Sequence, residues 1–126
     1  MQELTKAQEE ILRILWDIEE GVVSDIIEKL PIPKPAYNTV STVVKVLEKK
    51  GYVSHRTYGK THVYFPLVKK KQYAQFIMRD AVKGLFDGSL KQAVSFFVKQ
   101  KDASVSDLEE IKQLIEKKIE SQKQKK

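Results

Sequence analysis

Cysteine is absent from the 126 residues, which excludes disulfides, thiolate nucleophiles and thiolate zinc sites together. Absent too is any apolar run near the roughly 18 residues that cross a bilayer. The opening MQELTKAQEE lacks the basic-then-apolar pattern of a secretory leader. These absences point to a cytoplasmic protein with no membrane insertion. No glycine-rich phosphate loop occurs. Acidic side chains are scarce in one stretch: between residues 31 and 62, Glu48 stands alone against Lys34, Lys45, Lys49, Lys50, Arg56 and Lys60. Residues 1–30 are the reverse, with eight acids and three bases. A basic segment beside an acidic one is what a polyanion-binding face grafted onto an ordinary helix would give.

What is present is enough for a core. At 41% hydrophobic residues, a chain of this length holds one domain, or a small domain with a helical appendage. Thr5 followed by Gln8 reads as a capping box, after which Ala7, Ile11, Ile14, Leu15 and Ile18 recur at helical spacing. Gly21 is expected to end that helix. A short second helix fits Val23–Leu30, stopped by Pro31, Pro33 and Pro35.

A third helix is expected from about Ala36 to Lys50, closed by Gly51. Advancing about 100° per residue from Val40, residues Ala36, Tyr37, Val43, Val44 and Leu47 fall on its side. Asn38, Thr42, Lys45 and Lys49 gather at the opposite pole, with Thr39 and Ser41 on the flanks. That pole is amide, hydroxyl and ammonium, whereas solvated helix faces ordinarily mix Glu with Lys.

After Gly51 the period changes. YVSHRTY and HVYFPL are β-prone runs separated by Gly59-Lys60-Thr61, a hairpin whose second strand ends at Pro66. Three short helices are expected beyond Lys69. Tyr73, Phe76, Ile77, Ala81, Val82 and Leu85 form the first stripe, broken by Asp87-Gly88. Leu90, Ala93, Val94 and Phe97 form the second. Ser104 and Asp107 cap the third, which carries Leu108, Ile111, Leu114, Ile115 and Ile119. The expected fold class is therefore mainly α (α+β). Residues 1–68 form an N-terminal winged helix-turn-helix with a two-stranded wing, and residues 69–126 a C-terminal three-helix dimerisation region. The dimer surface is expected to draw on Phe76, Leu85, Phe86, Leu90, Val94, Phe97, Leu108, Ile111 and Ile115, since these helices are more apolar than one small domain can cover.

The chemistry favours double-stranded DNA. Asn pairs bidentately with adenine, and Thr offers a hydroxyl and a methyl to base edges, which suits Asn38, Thr39, Ser41 and Thr42. Lys34, Lys45 and Lys49 suit phosphates. The hairpin adds Arg56, Tyr58, Lys60 and Thr61, as a wing along the backbone or in the minor groove requires. Catalysis finds no comparable constellation. Ser54 and His55 are strand neighbours and point to opposite faces. His55 and His62 have no carboxylate between them, so a metal site is not expected, nor any cofactor. Two other classes stay open: a winged-helix module for protein contacts alone, and a ligand-gated regulator with a pocket among Phe76, Phe86, Phe96 and Phe97.

The run KPAYNTVSTVVKVLEKKGYVSHRTYGKTHVYFPLV, residues 34–68, closely resembles the penicillinase-repressor family of BlaI/MecI type, with CopY-type copper repressors as relatives. The similarity extends to LTKAQEEILRILW and to FDGSLKQAVSFFVKQKDASVSDLEEIKQLI. The resemblance implies a homodimeric transcriptional repressor on a pseudo-palindromic operator. It implies base contacts from Asn38, Thr39 and Thr42 and phosphate contacts from Lys34, Tyr37, Ser41, Lys45, Arg56 and Lys60. It also implies a functional link to a membrane sensor-protease that signals cleavage within Val94–Val98. Phe96-Phe97 stands there in place of the Asn-Phe bond of well-known members. The copper-responsive relatives carry C-terminal cysteine pairs, which this chain lacks.

Overall fold

The computed structural model describes residues 1–125. The element order is α1 (Lys6–Ile18), α2 (Val23–Lys29), α3 (Tyr37–Lys49), β1 (Val53–Tyr58), β2 (Thr61–Pro66), α4 (Lys70–Leu85), α5 (Leu90–Val98) and α6 (Val105–Gln124). This is the mainly α order expected, with one two-stranded antiparallel sheet. The chain divides into two compact units, Met1–Met78 and a second from Arg79 onward.

In the first unit, α1 opens on the expected capping box: the Gln8 amide donates to Thr5 Oγ1 at 3.2 Å, and the Thr5 amide to Gln8 Oε1 at 3.1 Å. Its end differs from expectation. Glu19, not Gly21, takes a positive φ, at 72°. Gly21 instead exchanges two backbone hydrogen bonds with Tyr64, at 2.9 and 2.8 Å, an isolated antiparallel bridge on the free edge of β2. A Cβ on Gly21 would meet Ile18 Cδ1 at 2.8 Å and Asp25 Cβ at 3.1 Å. A side chain at this position would therefore have to displace the end of Ile18 and crowd Asp25.

The core joins Ile11, Leu12 and Leu15 of α1, Val23 and Ile26 of α2, and Val40, Val44 and Leu47 of α3, closed by Tyr52, Val53, Tyr64 and Tyr73. The lone tryptophan, Trp16, packs against this cluster. It donates Nε1–H to the Val68 carbonyl at 2.8 Å, with its ring 6.0 Å from Tyr73. Tyr52 donates its hydroxyl to the Gln2 carbonyl, and Tyr73 Oη accepts the Leu4 amide at 3.4 Å. The Lys70–Met78 part of α4 thus belongs with the winged fold through Tyr73.

Helix α3 ends on a left-handed glycine. Gly51, at φ 87°, donates to the Glu48 carbonyl at 3.0 Å, and Tyr52 donates to Leu47 at 3.0 Å. These are the two bonds of the glycine-terminated helix end, and the buried pair Leu47 and Tyr52 seals it. At the other end Ala36 is the N-cap, outside the helix, and Tyr37 is 58% exposed. Both were expected on the inner side. The helical wheel runs correctly through Val40, but the core does not reach back as far as the first turn. In the hairpin, Tyr58 pairs with Thr61, so the turn is the dipeptide Gly59-Lys60, one residue shorter than expected.

The second unit is helical; α4 lies within the bounds expected of it, near Lys69 and Asp87, and α6, at 20 residues, runs on beyond Ile119, the last residue of its expected stripe. Ser104 caps α6 by accepting the Asp107 amide at 3.0 Å. Among its described residues, Ala93 alone is buried. Phe86 lies 5.8 Å from Phe96, and Phe96 lies 5.5 Å edge-on to Phe97.

Leu47→Ala should lower the unfolding free energy by about 2–5 kcal/mol, whereas Lys49→Ala should move it by less than about 0.5 kcal/mol, both read from urea titrations. Burial pushes the hydroxyls of Tyr52, Tyr64 and Tyr73 above their ordinary pKa. Neutral tyrosines held in the core stabilise the fold below about pH 10, and that contribution is lost as pH rises through their folded-state values. A tyrosinate absorbance titration should therefore show a late-ionising set that coincides with alkaline unfolding.

Candidate nucleic-acid interface

Helices α2 and α3 are joined by Leu30–Ala36, and the loop is fastened by a lysine. Lys34 donates its ammonium to the Glu28 carbonyl at 2.8 Å and to the Leu30 carbonyl. A cation on the last carbonyls of α2 satisfies acceptors the helix leaves open and opposes its dipole. Lys34 therefore has a structural task beside the phosphate contact expected of it. Sequence reasoning missed the first task, although a lysine four residues after a helix end is a usable signal.

Beyond the loop, α3 turns Asn38, Thr39, Thr42, Lys45 and Lys49 outward, all exposed, with Ser41 half-buried on the flank. Exposed Tyr37 extends this face at the helix N-terminus. Thr42 Oγ1 donates to the Asn38 carbonyl at 2.8 Å. With its proton engaged on the backbone, that hydroxyl faces solvent as an acceptor, beside its methyl. Among the described residues, Lys45, Lys49 and Lys60 make no ion pair. Their full charge is available to a polyanion.

The wing supplies the other wall. Pairing of His55 with Tyr64 and Arg56 with Val63 puts Val53, His55, Thr57, His62 and Tyr64 on one face of the ribbon. Ser54, Arg56, Tyr58, Thr61, Val63 and Phe65 occupy the other. Arg56 is held on that second face, its guanidinium carbon 4.3 Å over the Phe65 ring and Nη1 3.8 Å from Glu20 Oε1. Tyr58, Lys60 and Thr61 are exposed at the tip.

On the first face, His55 Nδ1 lies 2.5 Å from Glu48 Oε2. The acid on α3 is thus tied to the wing and does not stand free beside the lysines. Behind it, burial raises the Tyr64 pKa first, and the Glu48 and Tyr37 charges add to that. Sequence alone marks Glu48 as the lone acid of its segment but not as a partner of the wing, and it gives Glu20 no partner. A lone acid on an otherwise basic helix was a signal for Glu48, while Glu20 carried none. Among the described residues, no group of three or more His, Asp or Glu side chains is arranged to hold a metal ion.

This arrangement places a three-helix layer, an open polar helix face and a two-stranded wing in one unit. The description "Penicillinase repressor" belongs to the family model that matches residues 4–117. The chain belongs to the penicillinase repressor family. It is 25% identical over 117 residues to the methicillin resistance regulatory protein MecI of Staphylococcus aureus, covering 92% of this chain and 95% of that protein. It is 22% identical over 115 residues to the penicillinase repressor of Bacillus licheniformis, covering 90% of each. The solution structure of the DNA binding domain of the repressor BlaI superposes with a TM-score of 0.50 at 23% identity, covering 58% of this chain and 94% of that domain. That likeness concerns the fold.

Replacing Lys34 with Met should cost about 1 kcal/mol of stability through the lost bonds to the α2 end. The same change at Lys49, which makes no ion pair among the described residues, should leave the thermal midpoint nearly unchanged. Equal midpoints for the two variants in a thermal melt would remove the structural task assigned to Lys34.

Proposed function

We propose that this member of the penicillinase repressor family is a cytoplasmic transcriptional repressor, not an enzyme. In this reading it binds a pseudo-palindromic operator as a homodimer and occludes a promoter. The observation that carries the reading is the outer pole of α3, where exposed Asn38, Thr39, Thr42 and Lys45 stand with no free acid, because Glu48 is held by His55. Short polar side chains near the helix N-terminus can reach base edges in a major groove, while cations flank them on phosphates. Asn38, Thr39 and Thr42 are assigned to bases. Lys34, Tyr37, Ser41, Lys45, Lys49, Arg56, Tyr58, Lys60 and Thr61 are assigned to the backbone or the minor groove. Since Thr42 already donates to Asn38, its hydroxyl would accept from a base amine or place its methyl against thymine.

The homodimer rests on the apolar surface left open in the second unit. Leu85 is 79% exposed, Leu90 69%, Phe97 54% and Ile115 45%. Phe86, Val94 and Leu108 are half-buried and Ile111 is exposed, while Phe76 of the same expected set lies in the first unit, packed against its core. Patches of this kind on a folded chain mark association surfaces. Phe97, Ile111 and Leu114 line an open groove of about 760 Å³ along with Asp102, Asp107 and Glu110, a shape that suits the ridge of another helix. A two-fold protein requires a two-fold operator, which fixes half-site spacing. Derepression by cleavage belongs to the same reading, with a membrane sensor-protease as the functional partner and Phe96-Phe97 as the candidate segment. Both side chains are about half exposed on α5, and a protease would need that helix turn to unwind.

Selection of bound duplexes from a random pool should return an inverted repeat, and affinity for it should fall steeply with salt as lysines release counterions. Thr42→Ala should cost about 1–3 kcal/mol on the preferred duplex and compress the ranking of sites. Lys45→Ala should weaken all duplexes alike and lower the salt slope by about 1. An unchanged ranking for Thr42→Ala would refute the assignment of that face. Sedimentation should show a dimer, and Leu90→Asp should shift it toward monomer.

A further inference from the structure

The chain has two histidines, and both lie in one cluster on the face of the wing that meets α3. The ribbon register pairs His55 with Tyr64 and Thr57 with His62, so the two imidazoles are diagonal neighbours. Their ring centroids are 4.4 Å apart, nearly edge-to-face. Both rings also lie near Tyr64, at 5.5 and 6.3 Å. His55 Nδ1 reaches Glu48 Oε2 at 2.5 Å, and His62 Nδ1 lies 3.2 Å from Thr57 Oγ1. The groups facing the pair are thus Glu48 from α3, Thr57 from β1 and Tyr64 from β2. Glu20, the nearby acid on the ribbon's opposite face, is engaged by Arg56.

Building on the DNA-binding reading above, we propose that His55 is a positioning residue that docks the wing on α3 through Glu48, and that the His55–His62 pair takes up one proton when a duplex binds. The docking follows from geometry. Nδ1 meets a carboxylate at hydrogen-bond distance only as the donor, so His55 donates to Glu48. That bond spans the recognition helix and the wing, fixing the angle between two elements that must reach one duplex together. It also keeps Glu48, the one acid of residues 31–62, from facing phosphates unpaired.

The proton follows from charge. Histidine is the side chain whose charge changes between about pH 5 and 8, and no cysteine competes in that window. Phosphates brought against the wing favour the imidazolium, while two imidazoliums at this separation repel. The duplex therefore draws in one proton for the pair. Affinity should be greater on the acid side and decline as pH rises, because binding stabilises the protonated form.

The test is fluorescence anisotropy of the full chain with a duplex recovered by selection, at constant ionic strength between about pH 6 and 8. The wild type should tighten toward acid with a limiting slope of tenfold per pH unit for one proton. His55→Asn places an amide donor where Nδ1 stands. It should keep the wild-type affinity at pH 8, and the double variant His55→Asn/His62→Gln should lose the slope, since either histidine left alone can still take the proton. His55→Ala should bind several-fold more weakly throughout. Proton NMR of the two imidazole C2–H signals, with and without duplex, should show one further proton in the complex. A wild-type affinity that is flat over this range with DNA still bound would overturn the proposal. So would a double variant that keeps the full slope, or an alanine variant as tight as the asparagine one. Wild-type protein that binds no duplex at any pH would instead overturn the DNA-binding reading beneath it.

Discussion

The packing of one helix edge governs the rest of this molecule. Val40, Val44 and Leu47 are buried against α1, α2 and the tyrosines that follow, and this sets the rotation of α3 about its own axis. Once that stripe is inside, Asn38, Thr42 and Lys45 have nowhere to point but out. The cap at Gly51 then turns the chain directly into β1, which keeps the wing beside the same helix. A shift of one residue in the stripe would rotate the outer pole by about 100° and scatter its chemistry. The interior and the exposed face are one decision made twice.

Much of this was legible because helical periodicity and glycine position are local signals. The caps at Thr5, Ser104 and Gly51, the hairpin and the element order are read from a few neighbouring residues each. What escaped depends on distance in the chain. The Gly21–Tyr64 rung joins residues 43 positions apart, and nothing near Gly21 announces it; a glycine after an amphipathic run reads as a helix end. Likewise the wheel placed Tyr37 inward because it assumes the core runs the full length of the helix, whereas the core stops near Val40. In the candidate interface, the polar pole was legible from composition and angle. The Lys34 cap, the Arg56–Glu20 pair and the His55–Glu48 bond were not. Each is a choice of partner among several charged groups, and only three dimensions make it.

The basic groups of residues 31–62 also divide into two kinds. Lys34, Lys50 and Arg56 are engaged, the first on carbonyls, the second on Gln8 Oε1 and the third between an aromatic ring and an acid. Their positions are set before any ligand arrives, so they lose little freedom on binding. Lys45, Lys49 and Lys60 lie exposed on long flexible stems and act as mobile charges, suited to phosphates whose spacing they need not match closely. Preset groups define orientation, and mobile ones add attraction.

The two units differ in one further respect. Trp16, with its indole bonded to Val68 and its ring against Tyr73, lies wholly within the first unit, and the second contains no tryptophan. The protein therefore carries an unlabelled optical reporter on one half and none on the other. Emission from that single indole would follow loosening of the winged fold while remaining blind to melting of the distal helices, whereas helical ellipticity would register both. Divergence between the two signals would reveal whether the halves come apart together or in turn.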